Sequence, residues 1–252
     1  MSYFNNISIP NIRLPQIAFR EAPAAVRTTT PLQPYGDSFT TNPLKETLTS
    51  PERILETART NPRIMRILKE NGFPLKVNTT ALAELQNGHL KDARIVAAQM
   101  YSALPEDLKK EVSMSDLQQA AMFHDIGKVL IPDKILNKQG KLTDEERKIM
   151  ETHAELGYEL LKDTGLNKNV LRLIKYHHQT PNGSGYPDIG SDFEYSTASK
   201  ILRATDQYTA MREKRSYKPA LSRDEALAAV HKDVENGNIS QKVYDALEKA
   251  TA

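Results

Sequence analysis

The segment FHDIGK, residues 123–128, decides the fold, because it sets a histidine beside an aspartate and the other metal-type donors surround it. The surrounding stretches are NGHL at 87–90, THAELG at 152–157, KYHHQTPNGSGYP at 175–187 and RATDQY at 203–208. Together the five stretches hold five of the six histidines, which is enough for two ions. Imidazole and carboxylate bind first-row transition metals, and a chain without cysteine has no thiolate ligands.

Bulk composition limits the classes of function. The chain has 252 residues, 39% of them hydrophobic, which suits one large domain or one domain with an appendage. A formal net charge of +2 argues against strong attraction to nucleic acid or to a membrane surface. The sequence contains no run of about 18 apolar residues, so no transmembrane helix is predicted. The first residues also lack the pattern of a secretory signal. We expect a cytoplasmic protein.

After about residue 50, apolar residues recur at helical spacing, and the alternation typical of strands is nearly absent. The predicted class is therefore all-α, with long loops at 128–142 and 179–194. Capping boxes at Thr143-x-x-Glu146 and Ser222-x-x-Glu225 mark two helix starts. The main predicted helices cover residues 61–71, 80–103, 115–124, 143–163, 167–178, 195–213, 222–235 and 239–250.

Residues 1–45 contain six prolines and no persistent apolar face, which predicts an irregular arm. Two interpretations stay open. The arm is a disordered tail, or it covers the domain or a partner, because isoleucines such as Ile7 and Ile17 are unusual in a linker. We divide the rest of the chain into a short helical segment at 46–80 and a catalytic domain at 81–252.

Helical spacing turns several polar side chains inward. His153 shares a face with Ile149 and Leu156, and Asp206 lies four residues after Leu202. One inward histidine is usually an ordinary core residue, but an inward aspartate without a partner is costly. A shared metal cluster explains the whole set better than separate burial. Lys128, four residues after His124, is expected on the same side, as a phosphate-binding cation or as a solvated lysine at a helix end.

The chain resembles the HD-GYP proteins, a subgroup of the HD metal-dependent phosphohydrolases, from about His89 to about Ala229. The resemblance is carried by HDIGKVLIPDKILNKQGKLTDEERKIMETHAELGYELL, by HH followed by NGSGYP, and by ILRATDQYTAMREKRSYKPALSRDEAL. It implies an HD-type helical bundle that hydrolyses cyclic di-GMP at a bi- or trinuclear iron or manganese centre. The expected product is linear pGpG, with GMP left open, formed by a hydroxide that bridges the metals.

The resemblance also assigns roles to individual residues. The implied metal ligands are His89, His124, Asp125, His153, His177, His178 and Asp206. Asp125 and Lys128 are the implied catalytic residues, with Lys128 contacting phosphate. The implied substrate contacts are Lys128, Gly185 and Tyr186 of the GYP motif, and Arg215 and Lys218, which match basic positions of the family.

We expect two ions rather than three. Some members of the family use a glutamate one helical turn before the first histidine, but that position is Leu85 here, and Glu84 is rotated away from it. The expected ligand sets are His89, His124, Asp125 and Asp206 for one ion, and Asp125, His153, His177 and His178 for the other.

The chain departs from the family at residues 179–182, where HHQTPNGSGYP replaces an HHERWDGSGYP-like segment and alters the expected substrate rim. Lys218 stands where an arginine is usual, which removes bidentate phosphate geometry. Three alternative functions stay open: a phosphohydrolase for another cyclic dinucleotide or a nucleotide, a catalytically weak cyclic di-GMP sensor, and a diiron oxygenase. A homodimer is also left open.

Overall fold

The structure is a computed structural model that describes residues 50–87, 89–213 and 219–252, without the side chains of residues 85–91. These residues form α-helices and a 3-10 helix, with no strand among them, so the predicted all-α class is confirmed. The N-terminal arm, Arg215 and Lys218 lie outside the described residues. Across the described ranges, no helix combines the length and the apolar character that a membrane span requires.

The α-helices follow one another along the chain, and the longest connection within the described ranges covers residues 177–196. They are α1 (Pro51–Thr60), α2 (Pro62–Glu70), α3 (Thr79–Asn87), α4 (His89–Ala103), α5 (Glu106–Lys109), α6 (Met114–Phe123), α7 (Asp133–Leu136), α8 (Asp144–Glu151), α9 (His153–Leu161), α10 (Lys168–Tyr176), α11 (Thr197–Arg212), α12 (Arg223–Glu235) and α13 (Gln241–Ala250). The 3-10 helix Ile126–Leu130 lies between α6 and α7.

Local capping decides where several helices begin. The predicted capping boxes are confirmed at Thr143 with Glu146 and at Ser222 with Glu225, where each cap side chain accepts the N–H of the glutamate. A third box, at Ser196, starts α11 with a serine in the glutamate position. These reciprocal hydrogen bonds satisfy N–H groups that the first helical turn leaves without partners.

Two of the predicted boundaries are wrong. Residues 128–142 are not one long loop, because they contain the end of the 3-10 helix and α7. The helix predicted at 143–163 is divided at Thr152. The Thr152 hydroxyl donates to the Ile149 carbonyl at 2.7 Å, and the Thr152 N–H donates to the same carbonyl at 3.2 Å. Because the N–H bond reaches back three residues rather than four, the turn is tighter than in an α-helix.

The core forms where α4 packs against α6, α11 and α13. Met100 of α4 is fully buried, and the Thr205 hydroxyl of α11 donates to its sulfur at 3.3 Å. A second contact joins α9 to α10 and to the 3-10 helix. Gly127 permits this contact, because a Cβ there would lie 1.9 Å from the His153 carbonyl oxygen. The close approach brings the 123–128 segment against the start of α9.

The helical segment before residue 80 is anchored to α9. Asn61 caps α2 and donates to the Glu159 carboxylate at 2.8 Å, and both residues are buried. Arg63 donates to Glu155 at 2.7 Å. Since α9 begins with His153, the segment packs against the helix that carries this candidate ligand.

Candidate metal centre

Helix ends supply most of the predicted metal ligands. His124 caps the C-terminus of α6 and Asp125 follows it, His177 caps the C-terminus of α10 with His178 after it, and His153 begins α9. Asp206 lies within α11. The structure brings these six side chains together. The seventh predicted ligand, His89, begins α4, but its side chain is not among those described.

The donor atoms fall into two groups that share Asp125. Ligand atoms of Asp125, His153, His177 and His178 lie within 4.8 Å of one another, and so do those of His124, Asp125 and Asp206. The Oδ1 atom of Asp125 lies 3.4 Å from His153 Nε2, while its Oδ2 lies 3.4 Å from His124 Nε2. Each carboxylate oxygen therefore faces a different group.

Hydrogen bonds to the main chain orient three of the rings. The Nδ1 atoms of His124, His153 and His177 each bond the carbonyl three residues earlier, in the last turn of a helix. The carbonyls belong to Ala121 at 3.0 Å, Met150 at 2.7 Å and Ile174 at 2.7 Å. A carbonyl only accepts, so Nδ1 carries the hydrogen and the Nε2 lone pair of the neutral ring points into the cluster.

This arrangement fits a bound cation. His153 Nε2 and His177 Nε2 lie 3.2 Å apart, and two lone pairs at that distance repel each other. The buried Oδ1 of Asp125 has no hydrogen-bond partner among the described residues. A divalent ion between these atoms would accept all three lone pairs. Mixed imidazole and carboxylate donors suit first-row transition metals.

Burial and charge act differently on the histidines of the two groups. Burial lowers the pKa of His153 to about 3 and that of His178 to about 4, and it holds the pKa of His177 well below its usual range. These three rings are therefore neutral. Burial also disfavours charge on His124, but Asp125 and Asp206 outweigh it and raise the pKa of His124 to about 10. A metal ion bound there has to displace that proton.

The HD domain family matches residues 76–243 of this sequence. The chain belongs to this family. It is 36% identical over 118 residues to the cyclic di-GMP phosphodiesterase response regulator RpfG of Xanthomonas campestris pv. campestris, a match that covers 46% of this chain and 31% of that protein. It is 30% identical over 148 residues to the 3'3'-cGAMP-specific phosphodiesterase 3 of Vibrio cholerae serotype O1, covering 57% and 32%.

This chain therefore spans about a third of the length of these two relatives. Among solved structures, the HD domain of the phosphodiesterase PgpH of L. monocytogenes in complex with cyclic-di-AMP is similar. The similarity covers 65% of this chain and 88% of that one, with 20% identity and a TM-score of 0.46. The resemblance inferred from the sequence motifs is confirmed at the family level.

Lys128 occupies a different place in the HD domain from the one predicted. We expected it beside His124 on one helix face, but α6 ends at Phe123 and a 3-10 helix follows. Residues three apart stand above one another in a 3-10 helix. Lys128 Nζ therefore lies 2.6 Å from Asp125 Oδ2, with 24% of its side chain exposed. Burial raises the pKa of Asp125, but Lys128 and His124 outweigh burial and hold it well below the usual range.

The GYP segment of the HD domain lies against the second group of donors. The Tyr186 ring stacks on the His178 ring with centroids 4.7 Å apart, tilted by 33°, and lies 6.0 Å from the His153 ring. A Cβ at Gly185 would lie 2.2 Å from the His178 carbonyl oxygen, so only glycine permits this approach. Burial raises the pKa of Tyr186 above its usual range, which keeps the phenol neutral. Substrate binding by Gly185 and Tyr186 stays a prediction.

The interpretation of residue 179 as part of the substrate rim is wrong. Gln179 is fully buried, and its side-chain amide hydrogen-bonds the main chain of the GYP segment. Its carbonyl accepts from Arg203 Nη1 at 3.3 Å. Sequence reasoning missed this role. The one available signal was the position directly after the paired histidines, where the chain has to turn back over them.

Proposed function

We propose that this HD domain is a metal-dependent phosphodiesterase that hydrolyses cyclic di-GMP to linear pGpG. The observation that carries the proposal is the shared carboxylate of Asp125, whose two oxygens face different groups of donors. This arrangement suits a pair of ions, and paired ions promote displacement at phosphorus. The substrate is inferred from relatives that are named cyclic di-GMP phosphodiesterases.

Each group of donors would hold one divalent ion. Mixed nitrogen and oxygen ligands accommodate iron or manganese, the metals that the resemblance to the HD-GYP proteins implies. The first set is His124, Asp125 and Asp206, to which the predicted ligand His89 would add a fourth donor, and the second set is Asp125, His153, His177 and His178. When bound, such ions supply a Lewis acid for the phosphodiester and lower the pKa of water.

Protein side chains around the donors would bind and orient the substrate. The partly exposed Lys128 ammonium can donate to a phosphate oxygen while it keeps its pair with Asp125, and so neutralise charge that grows in the transition state. The neutral Tyr186 phenol can donate a hydrogen bond, and its ring offers an apolar surface beside His178. Arg215 and Lys218 remain predicted phosphate contacts.

A second substrate is favoured by a specific observation. One of the relatives is named a 3'3'-cGAMP-specific phosphodiesterase, so hydrolysis of 3'3'-cGAMP is the alternative. Both substrates carry two phosphodiesters in a ring and differ in one purine base. The donor groups and Lys128 would bind the phosphodiesters of both substrates in the same way. Specificity for one substrate therefore has to come from contacts to the bases.

The test is hydrolysis by purified protein loaded with Mn²⁺, or with Fe²⁺ in the absence of oxygen. Cyclic di-GMP, 3'3'-cGAMP and cyclic di-AMP are supplied separately, and the products are separated by chromatography. We expect pGpG from cyclic di-GMP, no turnover by His153→Ala, and normal turnover by His231→Ala. His231 is the matched control because it pairs with Glu235 and lies in neither donor group. Tight binding of cyclic di-GMP without hydrolysis would indicate a sensor instead.

A further inference from the structure

We propose that Gln179 is a positioning residue that holds Tyr186 over the candidate metal centre. The amide of Gln179 bonds both residues that flank Tyr186 in the sequence, and so fixes the main chain on either side of the ring. This inference rests on the proposed function, since it concerns how Tyr186 is presented to substrate.

The contacts of Gln179 define this clamp. Gly185 donates its N–H to Gln179 Oε1 at 3.0 Å, and Gln179 Nε2 donates to the Pro187 carbonyl. Thr180 also donates its N–H to Oε1, at 3.2 Å. Tyr186 lies between the two held residues, with its ring on His178. One buried side chain thus determines the position of the main chain that carries the ring.

The full set of bonds in the clamp requires an amide. The Oε1 atom accepts from two N–H groups and the Nε2 atom donates to a carbonyl, so the amide cannot be flipped without losing these bonds. A carboxylate would accept from Gly185 but could not donate to Pro187. An apolar side chain of similar size would do neither, and would leave three partly buried main-chain groups without this partner.

The Gln179 carbonyl is itself held by Arg203, which is fixed in turn by a second helix. Arg203 of α11 donates from Nη1 to the Gln179 carbonyl, and its Nε and Nη2 atoms donate to Asp233 of α12. Asp233 is buried and also accepts from Gln207 and Asn238. Because Arg203 lies one turn before Asp206, the helix that carries a candidate ligand also anchors the clamp.

The rest of the loop lies at the surface. Pro181, Asn182 and Ser184 are exposed, and Ser184 bonds Thr180 and Asn182 within the loop. Ile189 beyond the GYP segment is also exposed. The bonds to Gln179 therefore tie an exposed loop to the interior at the point where Tyr186 has to be held.

The test compares Gln179→Met, which removes all three hydrogen bonds of the amide, with Gln179→Glu, which keeps the acceptor. Gln241→Met is the control, because Gln241 is exposed on α13 and its amide donates to Asp245 of the same helix. Each metal-loaded protein is assayed for metal content, for kcat and KM with cyclic di-GMP, and by hydrogen-exchange mass spectrometry of peptides that contain Gly185.

For Gln179→Met we expect unchanged metal content, faster exchange at Gly185 and a fall in kcat/KM of about tenfold or more, since small displacements of positioning groups have effects of this size. Gln179→Glu should keep Gly185 protected and recover part of the activity. The control should match the wild type in every measurement.

Unchanged exchange at Gly185 in Gln179→Met would overturn the proposal, and so would faster exchange with wild-type kcat/KM. Loss of metal from Gln179→Met would also overturn it, because Gln179 would then support the ligands rather than Tyr186. If Gln179→Met does not fold, equal kcat/KM for Gln179→Glu and the wild type would count against the clamp. A wild type that hydrolyses no cyclic dinucleotide would defeat the proposed function alone, because the exchange rates still test the clamp.

Discussion

At the scale of single residues, Asp125 is the candidate ligand whose side chain belongs to both donor groups. Its side chain is buried, its Oδ1 faces His153 and His177, and its Oδ2 faces His124 and Lys128. Replacing any one histidine removes a donor from one group, whereas replacing Asp125 removes a donor from both.

Asp125→Ala is expected to release at least one metal ion and to abolish hydrolysis, because neither group keeps its shared oxygen. Metal analysis and turnover on the same preparation measure the two effects. Asp107→Ala is the matched control, since Asp107 forms an exposed pair with Lys242. Full metal content with normal turnover in Asp125→Ala would refute the assignment.

Lys128→Ala is expected to keep its metal and to lose kcat/KM by about 100-fold, the size of effect that removal of one group stabilising transition-state charge commonly has. Metal content should be unchanged because removing the Lys128 ammonium does not weaken the binding of a metal cation nearby. Lys242→Ala serves as the control at an exposed ion pair. If Lys128→Ala loses metal, the role of Lys128 is to orient Asp125 rather than to bind phosphate.

At the scale of elements, the contact between the 3-10 helix and α9 determines how near Asp125 comes to His153. The contact depends on Gly127, whose hydrogen lies where a methyl group would meet the His153 carbonyl. Because the interior is close-packed, added volume has to displace a main-chain segment rather than fill a gap.

Gly127→Ala is expected to lower the free energy of unfolding by about 1–3 kcal/mol or more, as overpacking does, and to weaken metal binding. Gly237→Ala is the comparison variant, because it introduces backbone strain without a clash and is expected to leave metal affinity unchanged. A Cβ at Gly237 would meet nothing within 4 Å, so its φ of 72° adds only about 1–2 kcal/mol. Chemical denaturation and metal titration of both variants measure the difference. Equal stability and wild-type metal affinity in Gly127→Ala would contradict the inferred packing.

At the scale of the whole molecule, the candidate ligands join segments that are distant in the sequence. They come from the end of α6, the start of α9, the end of α10 and the middle of α11. A bound ion would therefore link these helices, and its binding energy would add to the stability of the fold.

Removal of metal by a chelator is expected to lower the unfolding temperature. A ligand at a thousandfold excess over its Kd stabilises a protein by about 4 kcal/mol, which corresponds to about 10 °C for a domain of this size. Calorimetry with and without chelator measures the shift, and His153→Ala should show a smaller one. The same unfolding temperature in both conditions would argue against a structural contribution from metal.

Local interactions explain what the sequence by itself determined. A capping box joins residues three apart, so Thr143 with Glu146 and Ser222 with Glu225 predict helix starts without knowledge of the fold. Helical periodicity likewise predicts that His153 and Leu156 share a face, and both are buried on α9. The inward direction of His153 and Asp206 follows from residue type and spacing, whereas the full set of candidate ligands rests on the resemblance to the HD-GYP proteins.

Only the tertiary structure decided the arrangement around those ligands. Lys128 pairs with Asp125 because α6 ends at Phe123 and a 3-10 turn follows, a change in helix type that the periodicity did not indicate. Gln179 is buried because the loop returns over it and Arg203, 24 residues later, reaches its carbonyl. The physical reason is that such contacts depend on how separate helices pack, while residue type and local spacing describe one helix at a time.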